Sequence, residues 1–208
     1  MPGRLENKVA IVTGGGSGFG QGIATKFVQE GAKVIIADLA QDNGSRVAKE
    51  LGCEFHLSNV TKRDDWEALL KKVLDTHGRL DIVINNAGGT YMNKAWLLGP
   101  LHRAQYTDWH TQPTMQVTDE DFDVVVNLNM RSIYLSASVI VPYMQKRGEG
   151  GVFLQIASTA GIRPRPGLTW YNASKAAASC ATKTMAVEYA TDKIRFNAVC
   201  PVVGSMAM

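Results

Sequence analysis

Little in this sequence points outward to a membrane, a nucleic acid or a metal. The three cysteines, Cys53, Cys180 and Cys200, are odd in number and scattered, so they form neither a disulfide framework nor a metal-ligand spacing. They read as reduced thiols of a cytoplasmic chain. No basic run reaches five residues, and the densest patch, Arg163-Pro164-Arg165, is interrupted by proline. With 22 Lys and Arg against 19 Asp and Glu the net charge is only +3, which gives no electrostatic support to nucleic-acid or membrane-surface binding. The first residues, Met1-Pro2-Gly3-Arg4-Leu5-Glu6, lack the apolar core of a signal peptide. No apolar run approaches the ~18 residues of a membrane span. An apolar content of 45% and a charged content of 20% exclude a disordered chain, a collagen and a coiled coil. What remains is one domain of ordinary size, covering residues 1–208.

The pattern that is present alternates. Lys8-Val9-Ala10-Ile11-Val12-Thr13 is a β-branched run and predicts a strand buried on both faces. A glycine cluster, Gly14 to Gly20, interrupts it. A helical stretch follows with Ile23, Ala24, Phe27 and Val28 on one face, and Gly31 stops it. Lys33 to Asp38 is a second buried strand, which completes a βαβ unit. The reading continues with helices over 41–51 and 62–76 and strands over 53–58 and 80–85. A long helix over 119–147 contains Pro142, which predicts a bend or an early stop. A strand over 151–157, a helix over 171–190 and a strand over 194–199 complete the series. Six strands alternating with helices predict an α/β, three-layer, doubly wound parallel sheet.

Thr13-Gly14-Gly15-Gly16-Ser17-Gly18-Phe19-Gly20 joins the first strand to the first helix. A backbone without Cβ atoms can approach a pyrophosphate closely, and the helix N-terminus behind it offers free N–H groups and partial positive charge. The cluster could also be an ordinary turn; its place at the end of the first strand favours a dinucleotide. The spacing lacks the Gly-Lys-Ser/Thr of a triphosphate-binding loop. Asp38 closes the second strand, where a carboxylate accepts hydrogen bonds from ribose hydroxyls and repels a 2′-phosphate. It predicts NAD(H) rather than NADP(H), unless Asp38 is only a helix cap or an exposed acid.

Tyr171-Asn172-Ala173-Ser174-Lys175 puts a phenol and an ammonium four residues apart, on one face of a helix. A nearby cation favours the phenolate, the form a phenol needs for general acid–base work near neutrality. The same pattern on a surface would be only a solvated pair. Upstream, Ser158 stands just past a buried strand, at the carboxyl end where open α/β sheets build their sites.

Together these motifs resemble the short-chain dehydrogenase/reductase family from about Lys8 to Pro201. In order they are Thr13-Gly14-x-x-x-Gly18-x-Gly20, Asn85-Asn86-Ala87-Gly88, Asn129 in the long helix, Ser158, and the Tyr171/Lys175 pair. The resemblance implies a Rossmann-type fold and an NAD(H)-dependent oxidoreductase that interconverts a secondary alcohol and a ketone. It implies that Tyr171 exchanges a proton with the substrate oxygen and Ser158 orients that oxygen. Lys175 would assist Tyr171 and bind the nicotinamide ribose, and Asn129 would hold a water of the proton relay. The implied cofactor contacts are Gly14, Ser17, Gly18, Phe19, Gly20, Asp38, Asn59, Val60, Asn86, Ala87 and Gly88, with Tyr171 and Lys175. Asn127 competes with Asn129 for its place, and the surrounding segment aligns better with Asn129. Position 59 usually carries Asp in the family, so Asn59 should alter affinity more than function. Thr159 and Ser174 read as structural. The long helix and the alanine-rich helix pair subunits in the family, so a homodimer or homotetramer is implied.

Two segments depart from the family. Residues 95–112 read as an inserted loop carrying Trp96, Trp109, His102 and His110; the two histidines lack the carboxylate or cysteine company of a metal site. After Pro201 the family usually has Gly, where Val202 stands, and it continues past the equivalent of Met208 into a substrate loop, a helix and a seventh strand. The expectation is a six-stranded sheet with the usual seventh strand missing, and an edge left open. The alternative function is a catalytically impaired dinucleotide-binding protein. The substrate has no readable code in the sequence.

Overall fold

A computed structural model describes residues 3–90 and 113–202. The 95–112 segment read as an insertion lies outside the described residues. Six strands form one parallel sheet: β1 (Val9–Thr13), β2 (Lys33–Asp38), β3 (Glu54–Leu57), β4 (Ile82–Asn85), β5 (Gly151–Ile156) and β6 (Ile194–Val199). Their order is β3-β2-β1-β4-β5-β6. The helices are α1 (Gly18–Gln29), α2 (Gln41–Leu51), α3 (Arg63–His77), α4 (Asp119–Val126), α5 (Ser132–Arg147) and α6 (Thr169–Glu188).

Alternation along the strands builds two cores. Val9 and Ile11 of β1, Ile35 of β2, Val83 of β4, Phe153 of β5 and Phe196 of β6 face one way. They pack against Trp66 and Leu69 of α3 and Leu135, Ile140 and Met144 of α5. Ala10, Val12, Val34, Ile36, Ile82 and Ile84 face the other way, against Ala24 of α1 and Val47 and Ala48 of α2. Every residue of β1 is buried, which explains why its sequence is continuously apolar rather than alternating. This is the three-layer α/β sheet that the strand and helix pattern predicts.

The two halves of the sheet wind outward in opposite directions from β1 and β4, which are paired through Ala10–Ile82 and Val12–Ile84. Their carboxyl ends therefore open a crevice at the point where the strand order reverses. A buried carboxylate fixes the opposite end of this pair. Asp81 accepts from the Val9 amide at 2.9 Å and from Arg79, and Arg147 lies 3.3 Å away.

The long helix read over 119–147 is continuous but not uniform. A π-helical turn, Asn127–Arg131, separates α4 from α5. Pro142 lies inside α5 without ending it, and the helix runs to Arg147. Asp119–Arg147 is long and apolar enough to cross a membrane by length and composition. Its Leu135, Ile140 and Met144 are, however, core residues of the sheet.

Candidate active site

The glycine turn is shaped by close contacts from three directions. Gly14 has a φ of 62°, its amide donates to Ala37 O at 2.8 Å, and a Cβ there would meet Asn86 Nδ2 at 2.9 Å. A Cβ on Gly20 would stand 2.1 Å from Gly14 O, so the helix can start this close to the strand only with glycine. Ser17 is the N-cap residue of α1, yet its hydroxyl makes no capping bond to the helix. That leaves the exposed Ser17 hydroxyl and the first helical N–H groups uncommitted to one another, a donor set that suits a phosphate.

Asp38 sits across from this turn. Its Oδ2 accepts from the Gly16 amide at 2.8 Å and its Oδ1 from Ala40 N at 2.9 Å. The N-cap residue of α2 is Ala40, not Asp38, so the carboxylate serves the glycine turn rather than the helix. After β3, Asn59 Oδ1 accepts from Thr61 N and Thr61 Oγ1, and the Asn59 amide donates to Asp65 Oδ2 at 2.6 Å. Val60 beside it is buried, and its carbonyl accepts from Trp66 Nε1.

The end of β4 is stapled to the end of β1. Thr13 Oγ1 accepts from the amides of Asn86 and Ala87, both at 3.0 Å, and donates to Ile84 O. Asn86 Nδ2 donates in turn to Thr13 O and Gly14 O. The Asn86 side chain therefore holds the glycine turn in place.

The next two glycines carry the chain to the second half of the site. A Cβ on Gly88 would lie 2.8 Å from Asn129 Oδ1 and 3.2 Å from Lys175 Nζ, so both groups converge on it. Asn129 is 3% exposed. Its Nδ2 donates to Gly89 O at 2.7 Å and to Ser174 Oγ at 3.1 Å, and its Oδ1 accepts from Gly89 N at 3.1 Å. The π turn occurs at this residue, as such turns frequently do at functional positions. Asn127 is only half-buried.

Tyr171 occupies the first turn of α6 and packs against the cluster of Val125 and Leu168, which Val117 also joins. Lys175, one turn on, lies over the Tyr171 ring at 5.8 Å from its centre. Its Nζ donates to Ile156 O at 2.8 Å. Burial pushes the Lys175 ammonium down to about 8, and the neighbouring Cys200 opposes that shift. Ser158, the residue after Ala157 at the end of β5, is 7% exposed and accepts from Ala160 N at 3.1 Å. Thr159 Oγ1 donates to Pro201 O, a structural bond.

The structure thus brings Asn129, Lys175 and Gly88 together, with Tyr171 under the Lys175 ammonium. The glycine turn, Asp38 and Asn86 form a second, connected group at the same end of the sheet. Two contributors lay beyond the sequence reading. Ser174, read as structural, is the hinge that receives Asn129 Nδ2 while donating to Tyr171 O at 2.8 Å. Cys200, the residue after β6, opposes the burial-driven fall of the Lys175 pKa. Among the described residues no group of His, Cys, Asp and Glu could hold a metal. His102 and His110 lie outside the described residues.

A family model for short chain dehydrogenases matches residues 8–208. The chain is 40% identical over 214 aligned residues to 4-formylbenzenesulfonate dehydrogenase of Comamonas testosteroni, covering 98% of this chain and 75% of that one. It is 36% identical over 203 residues to 3-oxoacyl-[acyl-carrier-protein] reductase of Thermotoga maritima, covering 95% and 74%. Among solved structures, 3-ketoacyl-(acyl-carrier-protein) reductase of Brucella melitensis, complexed with NADH, superposes with a TM-score of 0.86 at 35% identity. That match covers 98% of this chain and 78% of that one.

Proposed function

The chain belongs to the short chain dehydrogenase family, and on that premise we propose that it is an NAD(H)-dependent oxidoreductase interconverting a secondary alcohol and a ketone. The observation that carries this reading is the convergence of Lys175 Nζ and Asn129 Oδ1 on Gly88 beside the Tyr171 ring. A nicotinamide dinucleotide bound in the crevice would supply hydride for reduction and accept it for oxidation. Gly14, Ser17, Gly18, Phe19 and Gly20 would hold its phosphates, and Asp38 its adenosine ribose. Asn59 and Val60 would flank the adenine, and Asn86, Ala87 and Gly88 would line the cleft. The solved relative complexed with NADH supports a nicotinamide dinucleotide here.

The remaining chemistry belongs to the side chains. Tyr171 gives its phenolic proton to the carbonyl oxygen in reduction and takes it back in oxidation. Ser158 donates a hydrogen bond to the same oxygen and fixes its position. The Lys175 ammonium spends one N–H on Ile156 O; its other donors serve the phenolate and the ribose. Asn129, whose amide nitrogen is committed to Gly89 and Ser174, locks the helix onto the end of β4, and any relay water would use its remaining oxygen lone pair.

The same reading includes pairing of two copies through α5 and α6. An apolar groove of about 480 Å³ between them, with Tyr134, Ala137, Ala177, Ala181 and Met185 in its walls, supports it. Three free cysteines favour a cytoplasmic location. Titration with NAD(H) followed by a panel of secondary alcohols and ketones tests the activity. Saturable turnover that Tyr171→Phe abolishes supports the reading, and cofactor binding without turnover on any member overturns it.

A further inference from the structure

Resting on the oxidoreductase reading, we propose that the substrate carries an oxyanion, a carboxylate or a sulfonate, received by Arg163 and Arg165 at the rim of the site. Both arginines lie on the connection that leaves Ser158 and enters α6 just before Tyr171, so the chain carries them between the two groups proposed to hold the reacting oxygen.

The connection is anchored at both ends. Arg163 N donates to Thr159 O at 2.7 Å, and Asn172 Nδ2, beside Tyr171, donates to Arg165 O at 2.8 Å. The turn after Ser158 is pressed onto α6, since a Cβ on Gly161 would stand 2.6 Å from Ala176 N. Each arginine precedes a proline, which holds its backbone out of the helical region. Pro166 followed by Gly167 at a φ of 75° has the residue pattern of a type II turn beginning at Arg165. The segment thus carries two guanidinium groups, two residues apart, on a backbone anchored at both ends. The anchored backbone confines the ordering cost of binding to the two exposed side chains.

Charge bookkeeping points the same way. Arg46 is engaged with Glu50, Arg79 and Arg147 with Asp81, Arg63 with Tyr134 and Ser138, and Arg131 with Thr61 O. Among the described residues the side chains of Arg4, Arg163, Arg165 and Arg195 make no such bond, and of these four only Arg163 and Arg165 stand between Ser158 and Tyr171. Arg163 and Arg165 are exposed, and among the described residues neither makes an ion pair or a side-chain hydrogen bond. Exposed Ile162 and Trp170 flank the pair, so an apolar body ending in an oxyanion is the complement. Planar guanidinium forks suit such an end geometrically as well as electrically.

The test uses the 208-residue protein and matched ketones: 4-acetylbenzoate with its methyl ester, and 4-acetylbenzenesulfonate with its sulfonamide. Binding of each to the NADH complex is followed by cofactor fluorescence, and turnover by NADH consumption. The charged member of each pair should bind about tenfold more tightly, as one or two charge-assisted bonds imply. Added KCl should erode that ratio. In the Arg163→Gln, Arg165→Gln double variant the ratio should fall to near one, with NADH titration reporting that the variant is folded. Equal binding of charged and neutral members, or a preference that survives the double variant, overturns the oxyanion. A preference of this kind without hydride transfer to any alcohol or ketone leaves the oxyanion standing and overturns the oxidoreductase reading instead.

Discussion

The ammonium of Lys175 lies over the ring of Tyr171, 5.8 Å from its centre, held there by the Ile156 carbonyl. A lysine this buried is kept for what it does to its neighbours. If Tyr171 is the proton donor, Tyr171→Phe should lower kcat by roughly a hundredfold or more. Its NADH dissociation constant should stay within about threefold of the parent value, because phenol removal touches little cofactor surface. Stopped-flow NADH oxidation and a fluorescence titration read the two quantities. Retention of a tenth or more of the parent kcat would remove Tyr171 from the role.

Lys175 also makes a stability prediction. Burial brings its pKa to about 8 from an ordinary 10.5. Between those values the unfolded chain carries a proton that the folded chain has released. Stability therefore rises as the pH climbs from about 8 to about 10.5, by about 3 kcal/mol in total. Lys175→Met should abolish that rise, and urea melts of parent and variant across this range show it as a difference. Curves that run parallel would contradict the buried ammonium.

Gly88 offers a steric test of the site. A methyl group at this position meets Asn129 Oδ1 at 2.8 Å and Lys175 Nζ at 3.2 Å. Gly88→Ala should reduce kcat/KM by at least about tenfold through displacement of both groups, since small misplacements near the reacting atoms are costly. Thermal stability should drop by only about 1–3 kcal/mol. An alanine variant with parental kinetics would mean that the two groups need not converge there.

Asp38 sets the cofactor prediction. Its carboxylate is fixed by Gly16 N and Ala40 N, and Arg46 of the following helix is paired with Glu50. The parent protein should use NADH well ahead of NADPH, and Asp38→Asn should narrow the ratio of kcat/KM values by about tenfold. Saturation kinetics with both cofactors measure it. A parent preference for NADPH would exclude the assigned role of Asp38.

Asp81 governs acid stability. Burial alone would raise its pKa, but the hydrogen bonds from Arg79 and the Val9 amide, with the charges of Arg79 and Arg147, hold it below the ordinary carboxylate value. Its contribution is therefore present above the unfolded pKa, near 4, and is lost as the pH falls through the lower folded value. Asp81→Asn leaves Arg147 facing a neutral amide and should cost about 3–5 kcal/mol at pH 7. The difference from the parent should shrink on acidification, as paired denaturation curves at pH 7 and pH 3 would reveal. A constant difference would argue that the carboxylate is not what Arg79 and Arg147 stabilise.

Elements governed by local periodicity were legible in the sequence. The continuous run Val9–Thr13 with the glycines after it, the helix Gln41–Leu51 stopped by Gly52, and the strand Ile194–Val199 ended by Pro201 follow from apolar spacing and the breakers beside them. The six-stranded doubly wound sheet follows from their alternation. The wider turn at Asn127–Arg131 did not, because nothing in Asn-Leu-Asn-Met-Arg distinguishes it from an ordinary helix. It forms where Asn129 reaches across to Gly89 and Ser174. Pro142 predicts a bend or an early stop, and the helix runs on to Arg147 without stopping early, since proline forfeits one hydrogen bond while Ile140, Val141 and Met144 keep their burial. The hydrogen bond of Ser174 with Asn129 joins segments 45 residues apart, which no local pattern encodes.

Asn129 meets Gly89 across 40 positions of sequence and Ser174 across 45. One carboxamide thus closes a knot among three stretches that a growing or refolding chain must bring together separately. Helices and strands can be in place while that closure is still missing. Recovery of this arrangement after denaturation is therefore expected to lag behind the return of secondary structure.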